Sequence, residues 1–337
     1  MAMAQSYRRR VQLVGGSTLI VSLPKEWARR IGIGPGSEVI VEVLPDGTLH
    51  IVPENLRRGE RPAQAVVRVP RNPDINTVVR EVISYYLAGY KTIKLVFEEI
   101  SESVVEEIVS NIQNHVMGLE VLEEDGTSIT FHSVIDVRFM DLWSVVKRLS
   151  RVSLSMLEDL EKCISGCDTK LLENLVRRDN LVDKLYLLVI KQLTEALSRY
   201  DSGSDILPAE AMHIAMVAKC IERIADHATG IAKILLETGQ GIEVSKEVLD
   251  LYREAVELFR QSIDSFTGLD REKAIEVAKR VDEVKSREKE LRRELEAYRH
   301  VYLRLLMDGI RRILAYSIDI AEAVLDVTAI RSAVASK

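Results

Sequence analysis

The chain has 337 residues, of which 47% are hydrophobic and 29% charged, with a formal net charge of −6. It is long enough for two or three domains and too apolar for intrinsic disorder. No apolar run approaches the ~20 residues of a bilayer span. Arg8, Arg9 and Arg10 lead into Gln12, Gly15 and Gly16 rather than an apolar signal core, so a cytoplasmic protein without membrane insertion is expected.

Charge is unevenly spread. Residues 1–30 hold six basic side chains (Arg8, Arg9, Arg10, Lys25, Arg29, Arg30) against Glu26, so the remainder carries the whole negative balance. This asymmetry points to an anionic partner for the N-terminus alone. Three cysteines, Cys163, Cys167 and Cys220, have neither zinc-ribbon nor CxxC spacing. Cys163 and Cys167, one helical turn apart, read as small buried residues more readily than as a soft-metal pair.

Residues Arg9–Pro53 read as strand, turn, strand, short helix, turn, strand, hairpin, strand. Thr18–Leu23 is β-branched and apolar until Pro24, which opens a short helix to Arg30. Gly32, Gly34, Pro35 and Gly36 mark a loop, Glu38–Leu44 alternates as a strand, and the turn at Pro45–Gly47 returns the chain along Leu49–Val52. Some fifty residues of short strands can hardly bury a core alone, so exchange of hairpins in a homodimer is expected. The Gly15-Gly16-Ser17 turn, "SLPKEW" (Ser22–Trp27), "IGIGPG" (Ile31–Gly36) and "DGTLHI" (Asp46–Ile51) resemble the AbrB/SpoVT swapped-hairpin family, which includes MazE-type antitoxins. The resemblance implies a homodimeric DNA-binding fold over residues 5–54. Arg8, Arg9, Arg10 and Lys25 are the candidate DNA contacts, since cations that neutralise phosphates release counterions; the plain alternative is a solvated basic face on a module that only dimerises.

Glu54–Gln64 is polar and turn-rich, a linker by composition. Residues 64–135 then read as a small α/β domain: strand Ala65–Val69, helix Ile75–Ala88 with Gly89 beyond its end, strand Thr92–Phe97, a helix from Ser101 to His115, and a hairpin, Leu119–Leu122 with Ser128–Phe131. Parallel pairing with right-handed crossovers is expected. No phosphate-binding glycine loop is present, and a dimerisation or spacer role fits.

From residue 138 to 333 apolar residues recur at helical spacing. Six helices are expected, over 138–165, 168–200, 208–238, 243–267, 270–296 and 298–332, with Asp168 and Ser245 as caps and Pro208 in a first turn. They form two three-helix repeats, 138–238 and 243–333. "IERIADHATGIAKILLE" (Ile221–Glu237) aligns without gaps on "IRRILAYSIDIAEAVLD" (Ile310–Asp326), and Val176–Val189 more loosely on Ala278–Leu291. The doubled pattern and its "ERIADH" stretch resemble the PhoU family. This implies a regulator tied to phosphate uptake and signalling, with acidic ExxxD or DxxxD motifs that hold iron or zinc, and partners among phosphate-transporter components or a signalling kinase.

Glu222 and Asp226 are four residues apart and share a helix face, as do Asp179 and Asp183 on the preceding helix. Four acids converging across two antiparallel helices repel one another unless a cation joins them, and oxygen donors suit hard or borderline ions. Asp179, Asp183, Glu222 and Asp226 are therefore the candidate metal ligands. The plain alternative is that Arg177, Arg178 and Arg223 neutralise them as ordinary ion pairs, with His227 a half-buried residue. In the second repeat Arg311 and Ala315 stand where Glu222 and Asp226 do, and Ser286 where Asp183 does, so at most one site is expected.

The fold class expected is multidomain α+β: an N-terminal swapped-hairpin β module, a small α/β domain and a C-terminal all-α double three-helix bundle. The function expected is DNA-binding transcriptional regulation of phosphate uptake, with a metal- or phosphate-responsive bundle. The alternative is a non-DNA-binding interaction protein that docks on a transporter or kinase. No enzyme is expected, because no nucleophile–base constellation or HExxH motif is present.

Overall fold

The computed structural model describes residues 6–43, 47–53, 64–98, 101–137, 140–166, 168–199, 206–239, 241–295 and 301–335. Pro45 and Asp46 of the expected turn, the linker up to residue 63, the start at 138 of the first of the six expected helices and Cys167 lie outside these. The chain divides into two compact units, one holding the described residues up to Pro53 and the other those from Gln64 onward.

In the first unit, β1 (Gln12–Val14) and β2 (Thr18–Ile20) form one antiparallel hairpin, and β3 (Val39–Val43) and β4 (Leu49–Pro53) a second. Gly15 and Gly16, at φ +63° and +80°, make the tight reversal between β1 and β2 that a side chain would resist. Helix α1 (Lys25–Arg30) follows Pro24. Among the described residues of this unit only Pro53 is buried. Leu13 and Leu19, paired across the hairpin, are 63% and 69% exposed, and Val41, Val43 and Leu49 are exposed as well. The strands form as their alternation dictates, but among the described residues of this unit their apolar side chains stay exposed or half-buried.

The second unit begins with a four-stranded sheet: β5 (Gln64–Val69), α2 (Ile75–Leu87), β6 (Thr92–Phe97), α3 (Glu102–His115), β7 (Leu119–Asp125) and β8 (Ser128–Ser133), in strand order β5-β6-β8-β7. β5 and β6 pair in parallel across the α2 connection, and β8 runs antiparallel to both β6 and β7. The β7–β8 pair is a hairpin. Asp125 accepts from Thr127 N–H, Thr127 Oγ1 and Ser128 Oγ, closing a turn that leaves no length for a crossover. Val67, Val82, Tyr86, Ile93, Ile108, Ile112 and Phe131 make the core of this layer.

Six helices follow: α4 (Leu142–Ile164), α5 (Thr169–Arg199), α6 (Pro208–Thr238), α7 (Lys246–Gly268), α8 (Arg271–Leu295) and α9 (Val301–Ala335). Asp141, Asp168 and Ser245 each accept a first-turn N–H, and Pro208 opens α6. Cys163 and Cys220 are buried on helices, as small apolar residues would be.

The two three-helix repeats share one core, which includes Leu149, Leu160, Val182, Ile224, Phe259 and Leu314. Helix α4 meets α7 through Tyr252, whose hydroxyl donates to the Leu157 carbonyl at 2.8 Å, and through the Trp143–Phe266 ring contact. Helix α6 meets α9 antiparallel: buried Glu210 takes a two-pronged ion pair from Arg331, while near the other end of α6 Ile231 lies against Gly309. Between them His227 stacks on Tyr316, its counterpart in the repeat alignment. The α/β layer is tied to the bundle by Lys191. Its ammonium is buried, donates to the Tyr86 carbonyl at 3.1 Å and sits over the Tyr86 ring.

Gly241, in the α6–α7 connection, offers a direct test of this packing. A Cβ there would lie 2.6 Å from the backbone of Ser165, beside the bond from Ile242 N–H to the Ile164 carbonyl. Backbone on both sides leaves no side chain to yield. Gly241→Ala is expected to cost about 1–3 kcal/mol, read as a lower urea midpoint at unchanged slope.

Candidate metal centre

Helices α5 and α6 pack side by side and carry the acids onto a common face. Asp183, Glu222 and Asp226 each offer one oxygen within 4.8 Å of the others. Asp179, one turn back on α5, stands outside that trio and beside Thr229; neither its Oδ1 nor the buried Thr229 hydroxyl makes a hydrogen bond of normal geometry. Glu222 is 7% exposed, and its Oε2 is buried without a hydrogen bond.

The electrostatics follow from burial and crowding. Burial pushes the Asp183 carboxyl up to about 6, with repulsion from Asp179, Asp226 and Glu222 adding to it and His115 on α3 acting against it. Asp179 is raised by burial and then by Asp226 and Glu222. Glu222 is raised by burial, opposed by Lys219.

Counter-charge is sparse. Lys219 donates to Glu222 Oε1 while sitting over the Tyr186 ring, and Arg223 reaches Glu222 Oε2 only at 3.9 Å. Arg178 turns instead to Ser155 and Asp159 on α4, and Arg177 to Asn174. Asp179, Asp183 and Asp226 form no ion pair with any described residue. Lys219 was readable in principle, since it precedes Glu222 by three residues on one helix; His115 was not, because it comes from another layer.

The second repeat builds nothing comparable among the described residues. Asp282 is exposed, and Ser286 bonds back to the Asp282 carbonyl. Arg292 joins Glu288 to Asp308, which Arg311 also approaches at 3.5 Å.

The four residues proposed for nucleic acid all lie in the first unit. Arg8, Arg9 and Arg10 are exposed ahead of β1, and Lys25 is exposed at the start of α1. Arg9 donates to the Arg8 carbonyl and lies over the Tyr7 ring. None of the four forms an ion pair with a described residue. No described helix is long and apolar enough to cross a membrane.

The fold is thus a short β-hairpin module ahead of an α/β layer and two three-helix repeats with one acidic cluster. Residues 146–235 match the PhoU domain model, and residues 12–59 match the model for antidote-toxin recognition MazE, bacterial antitoxin. The chain carries a MazE/AbrB-type antitoxin-like domain at its N-terminus and a PhoU domain in its helical region. Among solved structures it is similar to PhoU from Pseudomonas aeruginosa, at 20% identity and a TM-score of 0.50 over 55% of this chain and 94% of that one. It is also similar to the phosphate transport system regulatory protein PhoU from Streptococcus pneumoniae, at 16% identity and a TM-score of 0.46 over 56% and 94%. No curated protein matched the chain.

Proposed function

We propose that this chain is a homodimeric, DNA-binding regulator of phosphate uptake whose first helical repeat holds a metal ion. The observation that carries it is the N-terminal unit. Its described strands leave Leu13, Leu19, Val41, Val43 and Leu49 exposed, while Arg8, Arg9, Arg10 and Lys25 form no ion pair with a described residue. A second copy of the same module would cover the first feature, and phosphate backbones would satisfy the second. A PhoU domain joined to such a module supports phosphate-linked regulation exerted through transcription.

The acidic cluster fits a cation. Asp183, Glu222 and Asp226 would hold it, with Asp179 adding negative charge behind them, and the orphaned Glu222 Oε2 supplies a buried donor. The metal would neutralise repulsion that burial intensifies. The trio contains only oxygen donors, which suit a hard or borderline cation rather than a soft one. Metal binding would then favour one arrangement of the bundle over another and so bias operator affinity, which requires differential affinity between two states.

Titration of DNA from upstream of phosphate-transporter genes tests the reading. The full chain should bind with a log K that falls steeply with log salt, at a slope of about −0.9 for each phosphate neutralised. The Arg8→Gln, Arg9→Gln, Arg10→Gln triple variant should flatten that slope. A salt-insensitive affinity, or none, would leave the module as a dimerisation unit and favour a protein that docks on a transporter or kinase.

A further inference from the structure

Beside the acidic cluster, and sharing Asp226 with it, the packing of α6 on α9 leaves a cleft of about 330 Å³. That is at the lower end of small-molecule pockets, which run from about 300 to 1,000 Å³. Two glycines keep it open. Gly230 has free space where its side chain would stand, and a Cβ on Gly309 would lie 2.9 Å from Ile231 Cδ1. His227 lines one wall and Arg311 and Arg312 the other.

We propose that this cleft binds a phosphate-class anion, held by Arg312, Arg311 and His227. The proposal deepens the phosphate-regulator reading above by naming where its effector sits. Arg312 makes no ion pair or hydrogen bond with any described residue, so its donors are uncommitted. Arg311 reaches Asp308 only at 3.5 Å, and the same oxygen already receives Arg292 at 3.0 Å. Asp308 is therefore largely neutralised from outside the cleft. His227 has no hydrogen bond to a described residue, so its ring nitrogens are uncommitted. Asp226 is the one opposing charge in the lining without an ion pair to a described residue, and the two arginines are there to outweigh it.

The repeat supports the same reading. Position for position, Arg311 stands where Glu222 does and Ala315 where Asp226 does, so this stretch of α9 has changed from acidic to basic relative to its twin. Two guanidinium groups in one lining match a doubly charged oxyanion better than a single carboxylate. The apolar side of the cleft, Ile231, Ile234 and Leu305, leaves room for an organic body on the phosphate.

Calorimetric titration of the full chain, without DNA, tests this with inorganic phosphate and with adenosine monophosphate, against sulfate at equal ionic strength. Saturable phosphate binding is expected, weakened about tenfold or more by Arg312→Gln, as for the loss of a charge-assisted hydrogen bond. Arg304→Gln, an exposed change on α9 outside the cleft, should leave binding intact. Glu222→Gln breaks the acidic trio but does not line the cleft, so binding that survives it separates this proposal from the metal reading. Tighter binding of the monophosphate would identify an organic phosphoester, and tighter binding of inorganic phosphate the free ion. No saturable binding by either, sulfate binding as tightly as phosphate, or equal losses in the two arginine variants would overturn the assignment.

Discussion

Glu222→Ala combined with Asp226→Ala is expected to abolish metal binding by the purified protein. The double change removes two of the three oxygens that approach within 4.8 Å, and Asp183 alone cannot hold an ion against water. In the unsubstituted chain, metal at a thousandfold excess over its dissociation constant should add about 4 kcal/mol. For a unit of this size that is a rise of roughly 8–16 °C in Tm, which the variant should lack. Elemental analysis and thermal scans with and without chelator measure both. A variant that keeps its metal would move the site elsewhere.

The same acids set a pH signature in the chelated protein. The Asp183 carboxyl titrates near 6 when folded, above its usual range near 4. The folded state therefore holds the proton more tightly than the unfolded one. The resulting destabilisation is absent below about pH 4, grows as pH rises, and is complete above about pH 6. Asp183→Asn should accordingly raise the Tm of metal-free protein at pH 8 and leave it nearly unchanged at pH 4. A lower Tm for that variant at pH 8 would mean that the carboxylate is stabilised by pairing.

Leu13→Asp with Leu19→Asp is expected to convert the protein from dimer to monomer. The two leucines face each other across the β1–β2 hairpin and are mostly exposed, so charges there cost the isolated chain little. They would repel strongly within an interface built on that face. Light scattering should report the halved mass. DNA affinity should fall by about a hundredfold or more, because two linked modules bind with avidity that single ones lack. Circular dichroism should stay helical, since the bundle core contains neither residue. A variant that remains dimeric with unchanged operator affinity would show that these strands are not the contact.

Local chemistry made much of this legible. The strand alternation of Val39–Val43, the caps at Asp168 and Ser245, Pro208 at the head of α6 and Gly89 beyond α2 follow from propensities that act within a few residues. So does the pairing of Glu222 with Asp226 on one face, which 3.6 residues per turn guarantees. The repeat alignment also shows that Arg311, Ala315 and Ser286 stand where Glu222, Asp226 and Asp183 do in the first repeat.

What the amino-acid sequence could not decide was which groups meet across elements. The hairpin of β7 and β8 was readable, but that β8 inserts between β6 and β7 was not, because strand order is set by the packing of the whole layer. Arg178 left the acids for Asp159 because α4, not α6, lies within its reach. Asp183 joined Glu222 and Asp226 while Asp179 fell beside Thr229, a distinction fixed by the rotation of α5 against α6. The α6–α9 cleft exists only because two helices nearly eighty residues apart pack antiparallel with glycine at the contact. Periodicity specifies a helix's own faces. The partner, the rotation and the depth of approach come from burying all the apolar faces at once, and that balance is written only in the folded chain.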